Sequence, residues 1–314
     1  MAQPADTFSS YDSIGDREDL IDAISDISPT DTPCLTMFGK AKARNTLHEW
    51  QTDALAAASA TNAVIEGDDA TTDASTATTR LGNYTQISDK VARTTGTQEA
   101  TNKAGRTSEM AYQMAKRSKE LKRDMESSIT ANNARVAGND TTARELAGIE
   151  AWITTNTSLG GSGADPTGDG TDARTDGTQR AFTEAQLKTV LASCWDNGGE
   201  PDCLMVGSFN KQKVSGFTGG STRFDKSEDK KLTAAVDVYA SDFGDIKVVP
   251  NRFSRSRSAL VLQKDMWKVA FLRQYDTVDL AKTGDTERKQ LIVEYTLEAR
   301  NEAASGIIAD LTTS

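Results

Sequence analysis

One imidazole serves the whole chain. His48 is the only histidine among 314 residues, so a serine or cysteine nucleophile that depends on a neighbouring imidazole base has no other to use. It stands in Thr46-Leu47-His48-Glu49-Trp50-Gln51-Thr52-Asp53, whose alternation predicts a strand and gives the ring a structural or surface role. Cys34, Cys194 and Cys203 are far apart and odd in number, which fits a reducing compartment and no disulfide framework. No C-x-x-C or H-x-x-x-H spacing supplies a zinc site, and no G-x-x-x-x-G-K-[ST] run supplies a phosphate loop. Asp165, Asp169, Asp172 and Asp176 lie in a Gly/Asp-rich run over 158–177. Their oxygens do not recur at the alternate positions of a calcium loop, so a solvated loop is expected there. Asp242 and Asp245 near Arg252 are the remaining carboxylates with acid–base potential. They flank Phe243-Gly244, where Asp is ordinary turn chemistry. The sequence therefore predicts no catalytic residue, no metal ligand and no cofactor.

The elements that would position any site follow from periodicity. A polar beginning leads into Asp16-Arg17-Glu18-Asp19 and a short helix with Leu20, Ile21, Ile24 and Ile27 at helical spacing, its acids at the positive end of the dipole. Pro29 and Pro33 stop it. A strand over 46–53 and a second beginning at Arg80-Leu81-Gly82-Asn83-Tyr84-Thr85-Gln86-Ile87 flank a small-residue, polar stretch. Together they predict a long β-arm with little apolar surface of its own, and a two-stranded ribbon is marginal unless it rests on something. Residues 107–133 carry the longest helix signal. Met110, Met114, Leu121 and Met125 form one stripe, and Ser108 is placed as N-cap. Lys116–Glu120 and Lys122–Glu126 are expected as i,i+4 pairs on the wet face. The basic cluster Lys116, Arg117, Lys119, Lys122 and Arg123 reads as a solvated or subunit-facing surface, because acids are interleaved through it.

Downstream, Leu146, Ile149, Trp152 and Ile153 suggest a helical turn before the Gly-rich loop. Phe182-Thr183-Glu184-Ala185-Gln186 is a capping box that starts a helix with Leu187, Val190, Leu191 and Cys194 on one face. Residues 203–206 read as a buried strand, and a short helix follows Ser208 through Val214. After the charged loop 218–231, strands are expected around Val236/Val238/Ala240, Ile246/Val248, 259–262 and Trp267/Val269/Phe271. Leu291, Val293, Tyr295, Leu297 and Ala299 alternate with polar residues as a long, half-buried strand. The fold class is α+β.

Composition narrows the function. Thirty-six Lys and Arg stand against 46 Asp and Glu, for a net charge of −10, which argues against a dedicated duplex-DNA binder. No run approaches the ~20 apolar residues of a membrane span, and the first residues lack a secretory signal. Aromatic residues are 6% of the chain, so extended segments that find partners on other chains are expected.

The order of N-arm, β-arm, long helix, α/β body and late long strand resembles the Hong Kong 97-type major capsid proteins of tailed bacteriophages, in the branch named after the coliphage SU10. The words that carry it are Arg17-Glu18-Asp19-Leu20 with Ile27-Ser28-Pro29-Thr30-Asp31-Thr32-Pro33; His48-Glu49-Trp50-Gln51-Thr52-Asp53; and Arg80-Leu81-Gly82-Asn83-Tyr84-Thr85-Gln86-Ile87. Further words are Glu120-Leu121-Lys122-Arg123-Asp124-Met125-Glu126, Asp242-Phe243-Gly244 with Val249-Pro250-Asn251-Arg252, and Ala281-Lys282-Thr283-Gly284-Asp285. The resemblance implies an N-terminal arm (1–45), an extended loop (46–97), a peripheral domain with the spine helix (98–144), an axial domain (145–284), a long peripheral strand (285–300) and a C-terminal segment (301–314).

It also implies a shell of hexamers and pentamers that encloses double-stranded DNA without sequence-specific binding. Its partners would be other copies, a separate scaffolding protein (no long leading segment precedes the arm), a portal protein and, in some members, a cement or decoration protein. Assembly in the host cytoplasm and residence in the virion follow, with no membrane partner. Glu49, Trp50, Arg80, Asn83 and Tyr84 are the expected intersubunit contacts. The alternative for Trp50 and Tyr84 is a cross-strand pair inside the ribbon. Other readings are an encapsulin-like nanocompartment shell, an acidic enzyme using Asp242 and Asp245, and a monomeric binding module.

Overall fold

The computed structural model describes residues 28–69, 75–217 and 237–314. The expected helix with Leu20, Ile21, Ile24 and Ile27, the centre of the arm at 70–74, and the charged loop 218–231 with Val236 lie outside the described residues. In chain order the elements are α1 (Pro33–Met37), β1 (Gly39–Lys42), β2 (Leu47–Thr52), β3 (Thr79–Tyr84), β4 (Gln86–Thr95), α2 (Gly96–Ala100) and α3 (Glu109–Thr130). They continue with β5 (Asn156–Ser158), α4 (Glu184–Asp196), β6 (Cys203–Val206), α5 (Ser208–Ser215), β7 (Val238–Ser241), β8 (Gly244–Pro250), β9 (Ala259–Leu262), β10 (Trp267–Leu280), β11 (Thr286–Ala299) and β12 (Gly306–Ile308).

Helix α3 runs 22 residues, about 33 Å at 1.5 Å per residue. The Ser108 side chain accepts from the Ala111 backbone N–H, as its N-cap position requires. Met110, Leu121, Met125 and Ile129 are buried along one stripe. The wet face differs from expectation. Glu120 pairs with Arg117 at 2.6 Å rather than with Lys116. Glu126 is fully buried. Its Oε1 accepts from the Cys34 N–H at 2.8 Å and from Asn251 Nδ2 at 2.7 Å, and its Oε2 accepts from the Leu35 N–H at 3.0 Å. One carboxylate thus ties α3 to the first turn of α1 and to the segment after β8, and its negative charge meets the positive end of α1.

The strands form a four-stranded sheet in the order β1-β10-β11-β4, a six-stranded sheet β5-β12-β9-β6-β8-β7, and the ribbon β2-β3. In the first sheet β1 runs parallel to β10, and the other pairings are antiparallel. Trp267 to Ala299 is therefore one long hairpin turning at Ala281-Lys282-Thr283-Gly284-Asp285, so a boundary at 284/285 falls inside that turn. In the six-stranded sheet β6 and β9 are buried on both faces. Leu204, Val206, Ala259 and Val261 meet the apolar face of α4 (Leu187, Val190, Leu191, Cys194). Cys203, Met205, Leu260 and Leu262 face the main core beside α3, β10 and β11. A strand covered on both sides reads as a continuous apolar run, which is what these sequences are. The Thr183–Gln186 capping box that starts α4 is complete.

Strand β11 is more buried than its alternation suggests. Its apolar residues Val293, Tyr295, Leu297 and Ala299 enter the main core, while Glu294, Thr296 and Glu298 are buried as well. The polar face is covered, and Glu294 answers burial with Arg144 at 2.7 Å, Arg273 at 2.8 Å and the Thr85 hydroxyl at 2.9 Å. The run 158–177 departs from a plain solvated loop in the same way. Arg174 is buried and donates to Asp165 and to the Ile153 carbonyl. Asp176 is shared by Arg255 at 2.7 Å and Arg257 at 3.2 Å.

Candidate functional site

The three thiols are held unreactive by burial. All three cysteines are free and buried. Burial pushes Cys194 and Cys203 up to about 12 and Cys34 well above the usual thiol range, so none is held as a thiolate. Among the described residues no group of three or more His, Cys, Asp or Glu side chains is placed to hold a metal ion, and no helix is long and apolar enough to cross a membrane. Asp242 and Asp245 are exposed around the β7–β8 turn. There the Ser241 hydroxyl donates to the Gly244 carbonyl at 2.7 Å, as turn chemistry requires.

What remains is the arm. Its root is the β2–β3 ribbon, in register from Leu47↔Tyr84 to Thr52↔Thr79. Gly82 lies opposite Glu49, where an added Cβ would come within 2.9 Å of Glu49 Cγ, so a larger residue here requires the Glu49 side chain to shift. The root rests on the polar face of β11. His48 Nε2 lies 3.2 Å from Glu298 Oε2, and Arg300 donates to the other oxygen of Glu298 at 2.7 Å. Burial pushes Glu298 up, but the bonds from His48 and Arg300 outweigh it and hold this carboxyl below its usual value of 4.5. Arg135 donates to the Gly82 carbonyl, and the Thr85 N–H donates to the Thr46 carbonyl at 2.8 Å.

The five expected contact residues separate by depth. Asn83 is fully buried. Its amide donates to the Leu297 carbonyl at 2.9 Å and to the Ala147 carbonyl at 3.2 Å, and accepts from the Ala147 N–H at 2.9 Å. It fastens the ribbon to its own subunit. Trp50 is half-buried, its ring 5.3 Å from that of Trp152. Tyr84 is half-buried opposite Leu47, while Trp50 is opposite Leu81, so the two aromatics are not a cross-strand pair. Glu49 and Arg80 are exposed and meet each other at 3.2 Å. Sequence periodicity could not separate Asn83 from Arg80, because what distinguishes them is contact with residues 64 and 214 positions away.

Beyond Thr52 the arm leaves the body. Every described residue in 53–69 and 75–80 is exposed, including Leu55 at 99%, Val64 at 85% and Ile65 at 78%. A half-open cleft of about 1330 Å³ separates the base of the arm from the body, with Leu81, Trp152 and Met266 on its walls and Asp196, Arg300 and Glu302 among the polar residues around it. Leu55, Val64 and Ile65 thus stand on a segment that no other described residue buries.

Comparison with known proteins agrees with this architecture. The family model described as SU10 major capsid protein matches residues 3–312. The chain is 29% identical over 344 residues to the major capsid protein of Escherichia phage Phieco32, covering 98% of this chain and 97% of that one. Among solved structures, a capsid asymmetric unit of cyanophage A-1(L) is similar with a TM-score of 0.63 at 14% identity, over 98% and 99% of the two chains. A Gordonia phage Cozz structure gives 0.62 at 10% identity, over 99% and 98%. The phage G gp27 major capsid proteins, solved with gp26 decoration proteins, give 0.54 at 9% identity, over 99% and 100%. At these identities the agreement of structures is one of fold, the Hong Kong 97-like fold.

Proposed function

Since the chain belongs to the SU10 major capsid protein family, we propose that its copies assemble as hexamers and pentamers into the icosahedral head of a tailed phage and enclose packaged double-stranded DNA. As a phage major capsid protein it is a structural component of the virion. Assembly in the host cytoplasm, with a separate scaffolding protein and a portal, completes the reading. A decoration protein is a further partner of the kind named for phage G. The net charge of −10 suits a container that holds DNA without adhering to it, and the role is structural rather than catalytic.

The observation that carries this reading is the uncovered arm. A subunit that leaves Leu55, Val64 and Ile65 in water gains by laying them on a neighbour, and obligate interfaces bury on the order of 2,000–5,000 Å² in total. Glu49 and Arg80, with the outer edges of Trp50 and Tyr84, form the base of that contact, and Asn83 holds the base in position. We assign the four-stranded sheet with α3 to the peripheral domain and the six-stranded sheet with α4 and α5 to the axial domain. On this assignment the 281–285 turn is the tip of the peripheral hairpin. A nanocompartment shell shares the fold, but the family match favours the phage head.

The test is electron microscopy of the purified chain, produced with and without its scaffold. Closed shells with five- and six-fold capsomers are expected. A stable 33.7 kDa monomer in every condition overturns the proposal.

A further inference from the structure

Charge is distributed unevenly along this chain. Residues 1–27 hold seven carboxylates (Asp6, Asp12, Asp16, Glu18, Asp19, Asp22 and Asp26) and one basic side chain, Arg17. More than half of the net charge of −10 therefore sits in this leading stretch. Helix α3 presents the opposite sign. Lys116, Lys119 and Lys122 are exposed, and none of them has an ion-pair partner among the described residues. The acids around them are already engaged. Glu120 is held by Arg117 at 2.6 Å and Asp124 by Lys90 at 2.5 Å, while Glu126 is held by Cys34, Leu35 and Asn251. The neighbouring Arg123 lies over the Phe253 ring, 5.4 Å from its centroid. Among the described residues these three cations on α3 have no counter-charge.

The described chain that follows the acidic segment is anchored on the same helix. Cys34 and Leu35 donate their backbone N–H groups to Glu126, and Lys122 and Lys119 lie one and two turns back along the stripe that Glu126 continues. Lys116, ten residues from Glu126, is about 15 Å away along the helix. Eight residues separate Cys34 from Asp26, enough for about 28 Å of extended chain, so Asp26, Asp22 and Asp19 reach all three lysines without strain.

We propose that the acidic N-terminal segment of each chain docks on the Lys116–Lys119–Lys122 face of its own α3. The chain's own segment is favoured over a neighbour's because a short tether keeps it at high local concentration beside the helix. Docking neutralises the basic stripe, which is otherwise a surface for any polyanion. The inference goes beyond the shell reading and stands without it.

A carbodiimide that joins amines to carboxylates in salt-bridge contact tests it on the full chain. Equal parts of ¹⁴N- and ¹⁵N-labelled protein are mixed, crosslinked and digested, and the linked peptides are identified by mass spectrometry. Lys90–Asp124 serves as the internal standard. Expected are links from Lys116, Lys119 and Lys122 to carboxylates in 16–26, each within a single isotope label and weakened at about 0.5 M salt. The surface double variant K119E/K122E loses these links roughly fivefold or more, and adding D19K/D22K to it restores them with exchanged chemistry. Mixed-isotope links overturn the proposal in favour of a neighbour's segment. Absence of links while Lys90–Asp124 forms normally overturns it altogether, as does protection of the three lysines only when DNA is added.

Discussion

Replacing Asn83 by alanine separates residues that hold the arm in place from residues that the arm leaves exposed. The Asn83 amide is completely buried and makes three bonds to the backbone of its own subunit, at 2.9, 2.9 and 3.2 Å. Alanine leaves the Ala147 N–H without an acceptor and takes a donor from two carbonyls. A buried unsatisfied group costs about 1–3 kcal/mol, and a lost bond to a carbonyl that keeps other partners costs less. Together the loss is about 3 kcal/mol. In urea unfolding of dissociated subunits the midpoint should fall with the slope unchanged. Arg80→Ala, which removes an exposed pair with Glu49, should stay within about 0.5 kcal/mol in the same assay and act only on assembly. If N83A melts like the wild type, the ribbon root is not fastened to its own body as described.

Three further outcomes follow from the same geometry. Glu126→Ala strands the Cys34 N–H, the Leu35 N–H and the Asn251 amide in a buried site and should cost about 2–4 kcal/mol in the same unfolding assay. Glu126→Gln, which keeps one acceptor oxygen, should cost about half as much. Glu298 is held below 4.5 in the folded chain, so its contribution is complete above its unfolded value and is lost as pH falls through the lowered folded value. The acid limb of a stability–pH curve should therefore be shallower for E298Q than for the wild type, and superimposable limbs would contradict the His48–Glu298–Arg300 arrangement. Changing Leu55, Val64 and Ile65 together to serine should leave the melting of the isolated subunit within about 0.5 kcal/mol, as exposed sites do, while lowering the yield of particles in sedimentation.

The parts of this architecture legible in the sequence are those set by local rules. The Ser108 cap and apolar stripe of α3, the Thr183–Gln186 capping box, the buried β6 and β9 runs and the turn around Phe243 each depend on residues a few positions apart, and each forms as the spacing predicts. The hidden parts depend on what lies across the fold. Glu126 sits where an i,i+4 partner for Lys122 would be, yet its donors are 91, 92 and 125 residues away. Alternation along β11 marks one buried face, but the ribbon root covers the other, and nothing near Glu294 or Glu298 in sequence announces that cover. Arg174 likewise turns inward from a stretch whose composition is that of a surface loop. For the arm, the sequence shows its length and polarity. It could not show that Asn83 belongs to the subunit while Glu49 and Arg80 face outward.

The central claim is that the exposed part of the arm serves neighbours rather than its own subunit. Deleting residues 56–79 tests it most directly, because Thr52 to Leu55 can then close the ribbon onto Arg80 as a four-residue turn. Analytical ultracentrifugation with electron microscopy of this variant should find a folded subunit with wild-type melting behaviour and no closed shells. Shells of normal size and number from the shortened chain would contradict the account.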